Sequence, residues 1–437
     1  MIHSGLPAFS GKRVLLLQGP LGPFFRRLAA DLEGAGAIVH KVNFNGGDWL
    51  FFPAHRVINF RGRPEEWPAF FEVLLDRLRI DVVLLFGDCR LYHRKAHAIA
   101  TRRGLDVGVF EEGYLRPDWI TLELYGVNGH SRIPREPAFY RSLPMPAVRK
   151  PEHKVEHAFR MTALWAALYY LAGSLLKPAF PHYRHHRPLN PLEVLPWIRA
   201  GWRKLVFALR ERRALERLVG EQSRQYFLVP LQVHNDAQVC VHSPYSDVSE
   251  FIEEVVASFT EHAPAKTSLV IKHHPRDRGY HDYTVLIREL RKRYALGRRL
   301  VYVHDLHLPT LLNHALGAVV INSTVGLSAL QHGVPTKTTG TAFYDMEGLT
   351  YQGRLDDFWR KAWSAKPQRE LFEQFRTYLR CCKQINGSFY RKLPGNPLKS
   401  GIFWTGDRQW RPCDSMADIR MTSQQEKLRS VPTRRNP

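Results

Sequence analysis

The sequence predicts an α/β protein with two Rossmann-like, doubly wound domains facing a cleft. Apolar runs of strand length alternate with amphipathic helical stretches, and this alternation starts afresh after an apolar and basic interlude. A chain of 437 residues that is 44% hydrophobic also has material for two cores. Arg13–Gln18 is an apolar run that meets the Gly19–Pro23 turn, and Phe24–Leu32 follows with helical spacing, so the chain opens as strand, loop, helix. Ala37–Asn43 predicts a strand, Ala69–Leu78 a helix, Asp81–Phe86 a buried strand, Arg94–Arg103 a helix and Val107–Phe110 a strand. The second series runs through strands at Tyr226–Pro230, Ser268–Lys272, Leu300–Val303 and Ala318–Asn322. Its helices fall at Val248–Phe259, Tyr283–Tyr294 and Pro309–Ala315, with another opening after Asn322 and a return to strand near Gly333–Pro335. The resulting division is 1–150 for the first domain, 151–222 for an inserted helical and basic segment, 223–395 for the second domain, and 396–437 for a tail. From about Asp407 the tail lacks periodicity and is expected to be disordered.

Within the insert, Met161–Leu176 holds no charged residue and no histidine, and is short of the ~20 residues a bilayer span takes. It is either a helix buried between domains or one lying in a membrane interface, where Trp165, Tyr169 and Tyr170 suit the headgroup region. Ten Lys/Arg between Lys177 and Arg217 face Glu193, Glu211 and Glu216, a candidate anionic-surface patch. Overall, 63 basic against 41 acidic residues give a net charge of +22, which points to an anionic partner: nucleic acid, membrane or phosphorylated substrate. No helix-turn-helix, RRM or zinc-finger pattern supports nucleic acid, so no nucleic-acid partner is expected. Five cysteines without a CxxC pair suggest a reducing compartment and no zinc knuckle. The start lacks a secretory signal pattern, so a cytoplasmic protein is expected.

Three strand ends carry candidate chemistry. Glu111-Glu112-Gly113 places two carboxylates at one, for acid, base or nucleophile, or for a solvated turn. Lys272-His273-His274-Pro275 ends a strand of the second series. Pro275 holds His274 extended, and Lys272 adds positive potential for a phosphate; a surface histidine or a metal ligand is the plain alternative, zinc being disfavoured without HxxxH or Cys/His spacing. Asn322-Ser323-Thr324 opens a helix, as a phosphate cradle or an ordinary cap. The Gln18–Gly22 loop has neither dinucleotide nor P-loop spacing, but Gly19 and Gly22 can admit a substrate near the backbone.

Together, EEG, HP and NST resemble the three-part signature of bacterial CMP-sugar transferases of sialyltransferase type. The strings QGPLGPFFRRLAADLEGAGA, FEEGYLRPDWITLE, VPLQVHND and STVGLSALQHGVPTKTTGTAFYD resemble capsular polysaccharide proteins of the KpsS/LipB type, over roughly residues 11–395. That resemblance implies a GT-B-like fold and a retaining β-Kdo transferase. Such an enzyme would move Kdo from CMP-β-Kdo to a lysophosphatidylglycerol acceptor at the inner face of the cytoplasmic membrane, starting the linker for capsule synthesis and export. It assigns Glu112 as the catalytic carboxylate, nucleophile or base, with Glu111 supporting the loop. It assigns Lys272, His274, Pro275, Asn322, Ser323 and Thr324 to the donor, and Gln18, Gly19, Gly22, Tyr114, Arg116 and Gln232 to substrate contact. It implies no cofactor and no metal, CMP being stabilised by cationic His/Lys groups and a helix start. The partners it implies are CMP-Kdo, the lipid acceptor, an anionic membrane surface at which the protein is peripheral, and other capsule assembly proteins. A nucleotide-sugar epimerase of GT-B type, or a basic nucleic-acid-binding protein, is the alternative.

Overall fold

The computed structural model describes residues 5–53, 55–144, 153–155, 158–185 and 194–403. The part of the tail from about Asp407 therefore lies outside the described residues. The first series folds as β1 (Arg13–Leu16), α1 (Phe24–Gly34), β2 (Ile38–Asn43), α2 (Gly46–Phe51), β3 (Val57–Asn59), α3 (Trp67–Leu78), β4 (Val82–Phe86), α4 (Leu91–Arg102), β5 (Asp106–Glu112) and β6 (Trp119–Leu124). Strand β4, Val-Val-Leu-Leu-Phe, is buried along its whole length, as a central parallel strand covered by helices on both faces must be. Helix α1 turns Phe24, Phe25, Leu28 and Leu32 into one of these layers, and α3 turns Trp67, Phe71, Leu74 and Leu75 into the other.

Helix α5 (Pro137–Arg141) follows β6 within the first stretch, and the insert supplies α6 (Ala158–Leu175), α7 (Val194–Arg210) and α8 (Arg212–Val219). The second series contains β7 (Tyr226–Pro230), α9 (Ala237–His242), α10 (Val248–His262), β8 (Ser268–Lys272), α11 (Thr284–Arg293) and β9 (Leu300–Val303). It continues with α12 (Leu308–His314), β10 (Gly317–Val320), α13 (Val325–Gln331), β11 (Thr336–Thr338), α14 (Leu355–Lys361), α15 (Arg369–Tyr378) and β12 (Gln384–Asn386). The second sheet has the order β11-β10-β7-β8-β9 and is parallel throughout. The first has the order β12-β6-β5-β4-β1-β2-β3. Chain order therefore reverses beside β1 and β4 in one sheet, and beside β7 and β10 in the other. In open α/β sheets the crevice at such a reversal, outside the carboxyl ends of the strands, is where ligands bind.

Two features depart from a purely parallel first sheet. Strand β6 runs antiparallel to β5, pairing Glu112 with Ile120, and β12 runs antiparallel to β6. The short connection after β5 leaves no length for a helical crossover, so the chain folds back as a hairpin. Gly113 permits it, since a Cβ there would stand 1.9 Å from the Trp119 carbonyl oxygen. Strand β12 lies within the stretch 223–395, yet it completes the first sheet. Residues 396–403, grouped from sequence with the unstructured tail, are packed on the first domain: Asp31 accepts the Lys399 and Ser400 N–H groups at 2.7 and 2.8 Å, and Ile402 is fully buried. A local pattern rich in turn residues hides that docking.

Helix α6 crosses α2 closely. Gly46 and Gly47 make room, because Cβ atoms there would come 2.3 Å from the Ala172 carbonyl oxygen and 2.5 Å from the Tyr169 ring. One face of α6 is thus buried, through Ala166 and Tyr169, while Leu164, Leu171 and Leu175 remain exposed. Among the described residues no helix is long and apolar enough to cross a membrane.

Candidate active site

The carboxyl ends of both sheets face one cavity of about 450 Å³. The first domain contributes Gly87, Cys89 and Arg90 after β4, Glu111 and Glu112 at the end of β5, and Arg116. The second contributes Gln232 after β7, His274 after β8, and Asn322, Ser323 and Thr324 after β10. The three strand-end motifs singled out in sequence, remote along the chain, are therefore walls of one cleft.

Glu111 and Glu112 differ although they are neighbours. Glu111 accepts the Glu112 N–H at 2.9 Å, whereas Glu112 Oε1 accepts the Tyr390 hydroxyl at 2.7 Å. Burial pushes the Glu111 carboxyl up to about 7, against the help of the Glu112 N–H and with the Glu112 charge adding to the rise. One carboxyl of the pair is thus poised to exchange a proton near neutral pH, and the other is oriented by a half-buried phenol.

Across the cleft, His274 Nδ1 accepts the Arg276 N–H at 3.1 Å. A neutral ring in that position carries its proton on Nε2, available as a donor. Burial, and then the positive charges of Arg276 and Lys272, push the imidazole down to about 3. The expected cationic His/Lys pair is corrected accordingly. His274 is a neutral donor until an anion arrives, and Lys272 is buried outside the cavity with Nζ 3.5 Å from the His304 carbonyl oxygen. Burial also lowers Lys272 to about 8. Its β-strand position turns it inward, so the cavity takes its positive charge from Arg90, Arg116 and Arg276 instead. Pro275 starts a short 3-10 turn beside the cavity without lining it.

Ser323 Oγ accepts the Val325 N–H at 3.2 Å and so occupies a capping role, while Thr324 makes no side-chain cap bond. Tyr344 donates its hydroxyl to the Ser323 carbonyl at 2.5 Å and fixes this turn. Gly326 is required there, since a Cβ would lie 2.1 Å from the Tyr344 hydroxyl oxygen. Asn322 donates to the carbonyls of Gln238 and His242 at 3.0 and 3.4 Å, and its Oδ1 is buried without a partner. Gln232 Oε1 approaches the Asn322 N–H at 3.5 Å.

Four predicted substrate contacts lie elsewhere. Tyr114 is buried, stacks on Phe343 with ring centroids 4.0 Å apart, and donates its hydroxyl to Glu123 at 2.7 Å. It lies past Gly113 in the bend after β5, which carries it into the core beneath the cleft. Gln18, Gly19 and Gly22 form the seat of α6: Gln18 Nε2 donates to the Tyr169 and Tyr183 hydroxyls at 2.9 Å each, Gly19 lies against Phe25, and Gly22 against Trp165. Gln18 reaches the cavity only indirectly, by accepting from Arg90 Nη1 at 3.1 Å. Arg116 lines the cavity as expected, with Nε donating to the Gly113 carbonyl at 3.1 Å. Sequence reasoning missed Arg90, Arg276 and Tyr390. It also missed Cys89, His130 and His242, which converge at the cleft rim.

A family model described as capsule polysaccharide biosynthesis protein matches residues 81–390, the stretch from β4 to the tyrosine on Glu112. The chain belongs to the capsule polysaccharide biosynthesis family. Within this family, the capsule polysaccharide export protein KpsS of Escherichia coli is 46% identical over 384 residues, covering 87% of this chain and 97% of that protein. The capsule polysaccharide modification protein LipB of Neisseria meningitidis serogroup B is 41% identical over 393 residues, 88% of this chain and 93% of its own length. Among solved structures, the β-Kdo 2,7 transferase of Thermosulfurimonas dismutans KpsC aligns with a TM-score of 0.40 at 17% identity, covering 86% of this chain and 92% of that one.

Proposed function

We propose that this family member is a glycosyltransferase that moves Kdo from CMP-β-Kdo to a lysophosphatidylglycerol acceptor, without a cofactor. The observation that carries the proposal is the convergence of Glu111-Glu112, His274 and Ser323-Thr324 on one cavity with three guanidinium groups. Arg276, His274 Nε2–H and the Ser323-Thr324 turn hold the CMP phosphate. The anion raises the imidazole pKa as it binds, so the proton donor strengthens as charge develops on the leaving phosphate. Glu112, pinned by Tyr390, faces the sugar and acts as nucleophile or base; Glu111 takes or returns a proton near neutral pH.

The acceptor is reached at an anionic membrane surface. The support for this comes from α7, not from Met161–Leu176. Leu195, Ile198, Trp202, Leu205 and Leu209 form an exposed stripe along one side of that helix, with Arg199, Lys204 and Arg210 exposed beside it. The opposite side is tied to the second domain: Trp197 Nε1 donates to the Tyr280 hydroxyl at 2.9 Å, Arg203 pairs with Asp282, and Phe207 stacks on His304 at 3.7 Å. The apolar stripe is therefore held rigidly outward, on the domain assigned to the donor.

Turnover of CMP-Kdo by the purified protein, with and without lysophosphatidylglycerol, tests the reading. Product that requires the lipid is expected; an isomerised sugar formed without any acceptor would instead indicate an epimerase. Glu112→Gln should lower kcat by ~10² to 10⁴ while CMP affinity stays close to wild type. A folded Glu112→Gln protein with normal transfer would sink the assignment. A Kdo adduct on Glu112, found by mass spectrometry, would identify it as a nucleophile.

A further inference from the structure

Cys89, in the loop after β4, His130, beyond β6, and His242, the last residue of α9, come from both domains. Each presents a ligand atom, and the three atoms lie within 4.8 Å of one another. Cys89 Sγ is 3.5 Å from His242 Nε2, and the two imidazole rings stand edge to face with centroids 4.3 Å apart. We infer that these three side chains form a zinc-type metal site that bridges the two domains at the rim of the cleft.

The surroundings fit that assignment. Asp88 is 2% exposed and takes His130 Nδ1 at 3.0 Å, which leaves Nε2 of the same ring for a metal. A carboxylate behind a histidine in this way fixes the ring and raises its basicity as a ligand. Asp88 also accepts the Val127 N–H at 3.2 Å and the Cys89 thiol at 3.3 Å, so it organises both first-domain ligands. Two glycines shape the approach. Gly126 has φ 156° and a Cβ there would stand 2.7 Å from that of His130, while a Cβ on Gly129 would stand 2.3 Å from the His242 ring. Two imidazoles and a thiolate select zinc or cobalt over magnesium or calcium, which prefer oxygen ligands. Tetrahedral zinc, with bonds of about 2.0 to 2.3 Å, sets its ligand atoms roughly 3.3 to 3.7 Å apart, so the Cys89–His242 pair at 3.5 Å already fits and no pair needs to close by more than roughly 1.5 Å. The metal displaces the thiol proton, which leaves to solvent. Three protein ligands leave the fourth position for water or a substrate oxygen, on the side where Cys89 lines the cavity.

The test is titration of the chelator-treated full chain with Co²⁺, followed by visible absorption. One ion per chain with a thiolate-to-cobalt charge-transfer band is expected. Cys89→Ser should abolish the band, His130→Ala and His242→Ala should weaken binding at least tenfold, and Cys240→Ser should leave it unchanged. Absence of stoichiometric binding, or a band that survives Cys89→Ser, overturns the site. If a variant fails to fold, the wild type decides alone. Zn²⁺ should protect Cys89 but not the exposed Cys240 from iodoacetamide, and equal labelling of Cys89 with and without Zn²⁺ overturns the proposal.

Discussion

At the scale of the residue, the cleft sets its groups by burial before it sets them by charge. His274 is the clearest case on the second-domain side, as a half-buried neutral donor among arginines. On the proposed function His274→Ala removes a hydrogen bond to a charged phosphate, worth ~1.5 to 3 kcal/mol, so calorimetry should show CMP affinity reduced by about 10- to 150-fold. Glu111 gives a stability signature. Its folded pKa of about 7 lies above the usual 4.5, so the folded state holds the proton more tightly and stability falls as pH rises from about 4.5 through about 7. Glu111→Gln should flatten that slope and raise the melting temperature at pH 8 relative to wild type, while leaving it nearly unchanged at pH 4.5. An unaltered slope would show that Glu111 is not the buried titrating group. Glu111, Glu112, His274 and Ser323 were legible in the sequence because each ends an apolar strand, and strand ends of open sheets face the crevice. Arg90 and Arg276 were not, since a chain with 63 Lys and Arg offers no local sign of which ones line a cavity. Tyr114 was misplaced because adjacency in sequence to a cleft residue says nothing about the face on which a side chain lands.

The same contrast holds for elements. Strands β1, β2, β4, β5 and β7 to β10 were legible, being apolar runs bounded by turns, and so were α1, α3, α4 and α10 to α13, but not α14, whose Phe358 and Trp359 pack on Phe227 of β7. Strand β12 was not, because three residues of Gln-Ile-Asn have no periodicity and are specified by pairing with β6. The sequence left Met161–Leu176 open between a buried and an interfacial helix, and within the basic segment it did not single out the apolar stripe of α7. Met161–Leu176 is more apolar, but Gly46 and Gly47 draw one of its faces onto α2, whereas α7 keeps its stripe outside. Replacing Trp202 and Leu205 together by Glu should reduce binding to anionic vesicles at least tenfold in a flotation assay, without changing turnover of a soluble acceptor analogue. Raised salt should release much of the wild-type protein, as each Lys or Arg near such a surface contributes ~1 kcal/mol. Retention by the double variant would remove α7 from the interface. Gly46→Val should cost about 1 to 3 kcal/mol through overpacking against α6, read as a lowered denaturation midpoint.

For the whole molecule, the decisive connection is the return of the chain to the first sheet. After β11 and its helices, β12 adds to β6, Phe389 enters the first core against Phe24 and Phe86, and Tyr390 reaches Glu112. A chain ended at Lys383 should therefore lose more than a strand: rapid proteolysis of the first domain is expected, whereas a chain ended at Phe403 should resist. This arrangement also orders events on the ribosome. The second domain has all its own strands once residue 338 has emerged, but β6 remains an open edge and the first core lacks Phe389 until some fifty residues later. The domain synthesised first is thus the one finished last. Glu112 acquires the phenol that orients it only when the polypeptide has passed through the other domain and come back, so a nascent or truncated chain can hold the second-domain wall of the cleft without a finished carboxylate wall.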